Sequence, residues 1–299
     1  MLDSVQSQIV QWVDELNYKH LSELYERLPS GKRVRAMLVE AIAGNDNDAL
    51  RLSAIIEMIH AASLLHDDVI DDAMIRRGEP SINATDGSKV SIMVGDILYS
   101  KAFSELALLK NYEIASIVSS SVAALSVGEL MDVDMAEKFN SNQEIYTQMI
   151  YNKTASLIEA TCKSSAILAG KDIEIYAQYG KNIGLAFQII DDILDVTADE
   201  KRVGKPVMND FIEGKTTLPY IYLHEELEDA EREKLVSLCG VKVDDEQKEW
   251  MKSKFKASNA IRRSIEVAKK LSDEAYELMN NRDEEVLAQI AQSLMERSA

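Results

Sequence analysis

Asp67-Asp68-Val69-Ile70-Asp71 and Asp191-Asp192-Ile193-Leu194-Asp195 are two copies of one acidic pattern. The chain holds 23 Asp in 299 residues, so Asp-Asp-x-x-Asp should arise by chance about 0.1 times. Two copies are therefore not noise. Each follows an apolar segment, Ile55 to Leu65 and Ile183 to Ile190. On a helix the first and last Asp of each copy are i and i+4, stacked one turn apart on one face. Carboxylates so placed repel unless something positive lies between them. Beside an apolar face a hard cation does this, and Mg²⁺ suits an oxygen-only donor set. It binds through one or two carboxylates and keeps its other positions for waters and phosphates. Two such clusters point to several Mg²⁺ ions holding one diphosphate.

Helices must position these carboxylates. Only four prolines (Pro29, Pro80, Pro206, Pro219) and 12 glycines interrupt the chain, aromatics are 6%, and Ala, Leu, Ile, Met, Glu and Lys dominate. That is helix-forming composition and implies an all-α protein. The length is taken as one domain, residues 1–299, with ample residues for a core. Pro29-Ser30-Gly31 separates an amphipathic helix over about 3–27 from a second that opens on Lys32-Arg33-Val34-Arg35 and ends at Gly44-Asn45-Asp46. A long helix over about 47–75 carries the first acidic pattern near its C-terminal end. Arg76-Arg77-Gly78-Glu79-Pro80 is a turn whose two arginines suit the helix dipole. Helices follow at about 88–110, 112–138, 142–169 and 172–199, the last bearing the second pattern. Gly204 to Lys215 is a charged loop. Shorter amphipathic helices rich in Glu and Lys run from about 219 onward. The expectation is a bundle of long antiparallel helices, with both acidic patterns at one rim and an apolar cavity between them.

A formal net charge of −18 argues against a nucleic-acid partner, which requires a basic face. A diphosphate ligand then needs cations at the Asp clusters and a few placed Lys and Arg. Cys162 and Cys239 are too few and too far apart for a metal or redox motif and read as reduced packing thiols of a cytoplasmic protein. Residues 1–14 lack a basic region followed by an apolar run, so no targeting segment is expected. The longest uncharged stretch, Ile114 to Gly128, is 15 residues and carries Ser116, Ser119, Ser120 and Ser121. That is short of the roughly 20 residues of a membrane span, and it reads as a helix buried in the core.

With these residues in view, the chain resembles the trans-prenyltransferases (polyprenyl diphosphate synthases) over roughly 30–220. The resemblance rests on Gly31-Lys32-Arg33-Val34-Arg35, on His60 through Asp72 with Arg76-Arg77-Gly78, and on Gly95-Asp96. Further on it rests on Lys153-Thr154, Phe187-Gln188-Ile189-Ile190-Asp191-Asp192, Gly204-Lys205-Pro206, and Asp210 with Gly214-Lys215-Thr216-Thr217-Leu218-Pro219. It implies an isoprenoid-synthase-like helical bundle, a homodimer, and three Mg²⁺ per active site. Asp67, Asp71, Asp191 and Asp195 would hold the metal against an allylic diphosphate. Arg76, Lys153, Thr154, Gln188 and Lys205 would contact the same diphosphate, with Lys153 and Lys205 counted among the catalytic groups. Lys32, Arg35, His60 and Arg77 would bind isopentenyl diphosphate, which brings no metal and so needs more basic residues. The Arg fork and the Lys point charge both suit phosphate. The implied reaction is ionisation of the allylic diphosphate, attack by the isopentenyl double bond, and loss of a proton to the departing pyrophosphate.

Taken alone, Lys32 and Arg35 read as capping charges and His60 as a core histidine. His60 lies seven residues before Asp67, two turns away on the same face, which favours a ligand role. Glu57-Met58-Ile59-His60 matches the Glu-x-x-His of di-iron bundles, but those need a second copy and none is present. Asp132 and Asp134 follow Gly128-Glu129-Leu130, where Gln or apolar residues are expected, and are read as facing solvent. Most bacterial farnesyl diphosphate synthases of this family space the first acidic motif more widely, which argues against that subtype. Ala62 and Ser63, five and four residues before Asp67, are small where bulky residues stop chain growth in the family. A medium- or long-chain product of seven or eight units is expected, with Met131 and Met135 as candidate floor residues. The alternatives are a short-chain (farnesyl or geranylgeranyl) synthase, a terpene cyclase, or a non-catalytic partner subunit. A cyclase would need no second diphosphate site, and a non-catalytic partner should have lost Asp residues.

Overall fold

The computed structural model describes residues 2–29, 31–198 and 208–296. Among them the only strands are two-residue pieces, and helices carry the rest of the regular structure. The chain divides into two compact units, Met1–Val122 with Ala160–Ala177, and Ala123–Glu159 with Gln178–Ala299.

The first unit is built on α4, Asn47–Ile70, which packs against α1 (Leu2–Asp14), α3 (Val34–Ala43) and α6 (Ser88–Leu108). Asp46 caps α4 through its carboxylate, which accepts from Ala49 N at 2.9 Å. Leu52, Ile55, Ile56, Met58, Ile59 and Leu65 of α4 are all buried, each contributing roughly 1.5–3 kcal/mol. Gly95 of α6 lets His66 and the Ala62 carbonyl approach, since a Cβ there would overlap the imidazole. The N-terminal segment is two helices rather than one. α1 ends at Asp14 and α2 spans Lys19–Glu26, because Asn17 turns left-handed at φ 55°, a conformation Asn tolerates better than most residues. α4 also stops earlier than its sequence suggests. Asp72 adopts φ 47°, Asp72 N donates to Val69 O and Ala73 N to Asp68 O, a Schellman closure with Asp in the place usually held by Gly. The turn after it is a hairpin, Ile75–Arg76 paired with Glu79–Pro80, whose loop residues Arg77 and Gly78 both have positive φ.

The second unit holds α8 (Gln143–Ile150), most of α10 (Ile173–Thr197), and the helices Leu218–Glu226, Ala260–Asn280 and Glu285–Glu296. Its core includes Tyr146, Tyr179, Phe211 and Tyr220; Phe211 stacks on Tyr220 with ring centres 4.2 Å apart, and Tyr179 donates to Leu287 O. The expected helix over 142–169 is interrupted. Tyr151–Ala155 form a π turn between α8 and α9 (Ser156–Ala169).

α7, Tyr112–Met135, corrects a further expectation. Ile114, Val118, Ser121 and Leu125 are buried, but Val127, Leu130 and Val133 are 51%, 61% and 46% exposed. The uncharged stretch is buried on one face only. α4 and α7 are both long and apolar enough to cross a membrane by length and composition, and α4 is largely buried within the protein.

Candidate active site

Each acidic motif sits in the last turns of its helix, where the dipole disfavours anions. Carboxylates gathered there cost stability and need a compensating cation. Within the first unit the middle residue, Asp68, is buried and structural: Arg76 Nε donates to its Oδ1 at 2.7 Å, and its carbonyl accepts from Asn83 Nδ2 at 3.0 Å. Asp71 is exposed and Asp67 half-buried, on the face that the i, i+4 spacing predicts. Arg76 is thus held in place by the first motif itself.

The predicted second-substrate residues lie in the same unit. Arg35 is largely buried on α3, with Glu57 of α4 beside it, and its Nε has no hydrogen-bond partner. Glu57 Oε1 also accepts from Ala36 N at 3.0 Å, fixing the start of α3. Burial holds the His60 pKa well below the ordinary histidine value, and the Arg35, Arg77 and Arg76 guanidiniums push it the same way. His60 thus favours the neutral imidazole in this setting, and its ring N–H can donate a hydrogen bond to a diphosphate. Arg77 donates to Pro29 O at 3.1 Å, and Lys32 is exposed. An open cleft lies beside Arg77, lined by Arg27, Pro29, Leu64, Asp68, Arg76 and Arg77 among others.

The second motif is organised the same way in the second unit. Asp192 is buried; Tyr146 Oη donates to its Oδ2 at 2.5 Å and Gln188 Nε2 to its Oδ1 at 2.9 Å. Thr154 Oγ1 donates to Gln188 Oε1 at 2.7 Å. Two residues expected to touch a diphosphate, Thr154 and Gln188, are therefore locked to the motif by one chain of hydrogen bonds. Burial, then Asp210, raises the Asp192 pKa well above the usual carboxylate range. Asp191 is exposed. Asp195 is mostly buried, its Oδ2 has no hydrogen-bond partner, and burial followed by the charge of Asp210 pushes its pKa up to about 7. Asp210, at the start of the short helix Asn209–Ile212, is itself pushed up by burial. The resemblance includes Asp210, but sequence reasoning gave it no role; its crowding against Asp195 depends on Met208 N bonding to Asp195 O and Asn209 N to Asp195 Oδ1.

Crowded carboxylates, one with an orphaned buried oxygen, fit a hard divalent cation. Among the described residues no three His, Cys, Asp or Glu side chains form a closed metal site. Mg²⁺ matches such a set, since it takes few protein ligands and completes its shell with phosphate and water.

Lys153 and Thr154 owe their placement to the π turn, a feature concentrated at functional sites. Two glycines make room for it. A Cβ at Gly128 would overlap the backbone N of Lys153, and one at Gly184 would lie 2.6 Å from Ala155 Cα. Gly128→Ala is expected to destabilise the protein by about 1–3 kcal/mol, read as a lower urea midpoint, because backbone must move. An unchanged midpoint would show that α7 separates freely from the turn. Lys153 Nζ bridges Glu129 Oε2 at 3.0 Å and Asp132 Oδ2 at 2.7 Å. Asp132 is therefore buried and paired, not solvent-facing as expected; Asp134 is exposed, as expected. Lys205 lies outside the described residues. Ala62 is fully buried, Ser63 donates to His60 O at 2.9 Å, and Met131 and Met135 are half-buried.

Comparison with known proteins identifies the family and the fold. Residues 18–257 match the family model described as polyprenyl synthetase. The chain is 41% identical over 223 residues to a short chain isoprenyl diphosphate synthase of Methanothermobacter thermautotrophicus, covering 70% of this chain and 68% of the relative. It is 37% identical over 220 residues to octaprenyl diphosphate synthase of Escherichia coli, covering 71% and 66%. The alignments thus span about two thirds of these curated relatives. The crystal structure of octaprenyl pyrophosphate synthase from Helicobacter pylori superposes with a TM-score of 0.94 at 42% identity, covering 100% of this chain and 98% of that one.

Proposed function

The chain belongs to the polyprenyl synthetase family, a family of prenyltransferases, and from that premise we propose that it condenses isopentenyl diphosphate with an allylic diphosphate to build a medium- or long-chain all-trans polyprenyl diphosphate. The observation that carries this reading is the shared design of the two acidic motifs: each buries its middle Asp as a scaffold, Asp68 held by Arg76 and Asp192 by Tyr146 and Gln188. Asp67, Asp71, Asp191 and Asp195 would hold Mg²⁺, which supplies charge neutralisation at the leaving diphosphate. Lys153, Thr154, Gln188 and Arg76 orient the allylic diphosphate. Lys32, Arg35 and Arg77 bind isopentenyl diphosphate by charge and His60 by a neutral N–H. The allylic C–O bond breaks, the isopentenyl double bond attacks the cation, and the proton passes to the departing pyrophosphate. The protein's share is positioning and exclusion of water.

A radiolabelled isopentenyl diphosphate assay on the purified chain tests this. Incorporation into a ladder ending at a discrete product is expected. A terpene cyclase would incorporate none, and a non-catalytic partner would be silent alone. The similarity to octaprenyl synthases favours a long product, although the short-chain relative is as similar in sequence. Ser63→Phe is expected to shorten the product to about three or four units while ionisation persists. Ala62→Tyr is expected to act in the same direction; Ala62 and Ser63 are both buried, so either ring overpacks the core by about 1–3 kcal/mol. Met135→Ala should lengthen the product, with a smaller stability loss than a fully buried methionine would incur. An unchanged distribution in active Ser63→Phe would show that the chain does not grow past this face.

The exposed apolar residues Val127, Leu130 and Val133 on α7 support a homodimer. The reading is of a cytoplasmic dimer in which α7 faces a second copy instead of lipid.

A further inference from the structure

We propose that Glu129 and Asp132 are built-in competitors for the diphosphate, loosening the hold of Lys153 so that pyrophosphate leaves readily between condensations. This rests on the assignment of Lys153 to the allylic diphosphate. A lysine ammonium has three N–H donors and no acceptor. Two of the three point at carboxylates, Glu129 Oε2 at 3.0 Å and Asp132 Oδ2 at 2.7 Å. Neither carboxylate is a mobile surface group. Their side chains are only 12% and 7% exposed, and that of Lys153 is 21% exposed. They stand at i and i+3 on α7, one turn apart on one face. Gly128, next in sequence to Glu129, brings that face against the Lys153 backbone.

Lys215, the next cation along, is itself shared between carboxylates. Its Nζ is 3.9 Å from Asp132 Oδ2 but 3.0 Å from Glu213 Oε2, so it brings a carboxylate of its own. A diphosphate arriving at Lys153 meets an ammonium already engaged by two fixed carboxylates. One carboxylate, or an uncharged amide, would suffice to orient the ammonium. The second carboxylate adds repulsion toward any anion that Lys153 binds. Repeated elongation releases one pyrophosphate for every unit added, so a grip that is too tight is penalised at every cycle.

The test is calorimetric titration of inorganic pyrophosphate, with Mg²⁺ present, into the purified full chain and three variants. Glu129→Gln keeps the shape and a carbonyl acceptor for Lys153 but removes one charge. It should bind pyrophosphate about tenfold tighter, the scale expected for one charge several ångströms away in a partly buried site. Pyrophosphate should become a correspondingly stronger product inhibitor. Asp132→Asn should shift affinity in the same direction and decides the matter if Glu129→Gln does not fold. Lys153→Met should bind more weakly than wild type. Equal or weaker pyrophosphate binding in both charge-removing variants, with Lys153→Met still weakened, overturns the competitor role alone and makes the carboxylates orienting groups. Unchanged binding in Lys153→Met overturns the assignment of Lys153, and the competitor role with it.

Discussion

Asp191→Asn is expected to lower the condensation rate at least a hundredfold, about 2.7 kcal/mol of transition-state stabilisation, while the protein stays as stable as wild type or becomes slightly more so. The sign of the stability change follows from position. Asp191 is exposed near the C-terminal end of α10, among like charges and facing the negative end of the helix dipole. Removing its charge should return about 0.3–1 kcal/mol of stability. Asp67→Asn on α4 should lower the condensation rate alike. A residue that costs stability and is indispensable for turnover is there for chemistry. Asp192→Asn offers the contrast, because its carboxylate accepts from Tyr146 and Gln188 in the core. Rates measured beside urea midpoints separate the two kinds of Asp. Substantial turnover in EDTA would sink the metal assignment.

Arg35→Ala is expected to raise the KM for isopentenyl diphosphate by roughly 10- to 100-fold and to leave the KM for the allylic substrate nearly unchanged. A charge-assisted hydrogen bond to phosphate is worth about 1.5–3 kcal/mol, and Arg35 supplies one donor, Nε, that this fold leaves unmatched. Its Nε is buried with no partner, and burial pulls its pKa down while Glu57 opposes that. An arginine held so, in a cluster with Arg77 and neutral His60, is prepared for an anion. Lys32→Ala should give the same direction with less structural cost, since Lys32 is exposed. Initial rates with each substrate varied in turn decide it. Equal rises in both KM values would remove Arg35 from this role.

Much of this protein is legible in one dimension because helical spacing is a local rule. Composition dictates all-α structure, and the i, i+4 relation of Asp67 to Asp71 and of Asp191 to Asp195 follows from 3.6 residues per turn, whatever surrounds it. The order of the acidic and basic motifs was enough to suggest the family to which the chain belongs. Tertiary structure decided whatever depends on a partner distant in the chain. Asp132 reads as a surface charge until Lys153, on another element, is brought to 2.7 Å. Asp68 and Asp192 look like any other Asp of their motifs until Arg76 and Tyr146 reach them. The helix break at Asn17 and the π turn at Tyr151–Ala155 escape periodicity, because each is one altered turn stabilised by packing and not by a repeat. His60 has the same side chain in any context, but burial and the three arginines brought beside it hold its pKa well below the ordinary histidine value. Spacing along a helix fixes which face a side chain shares; what that face meets, and so its charge and its task, is fixed only when distant segments close on one another.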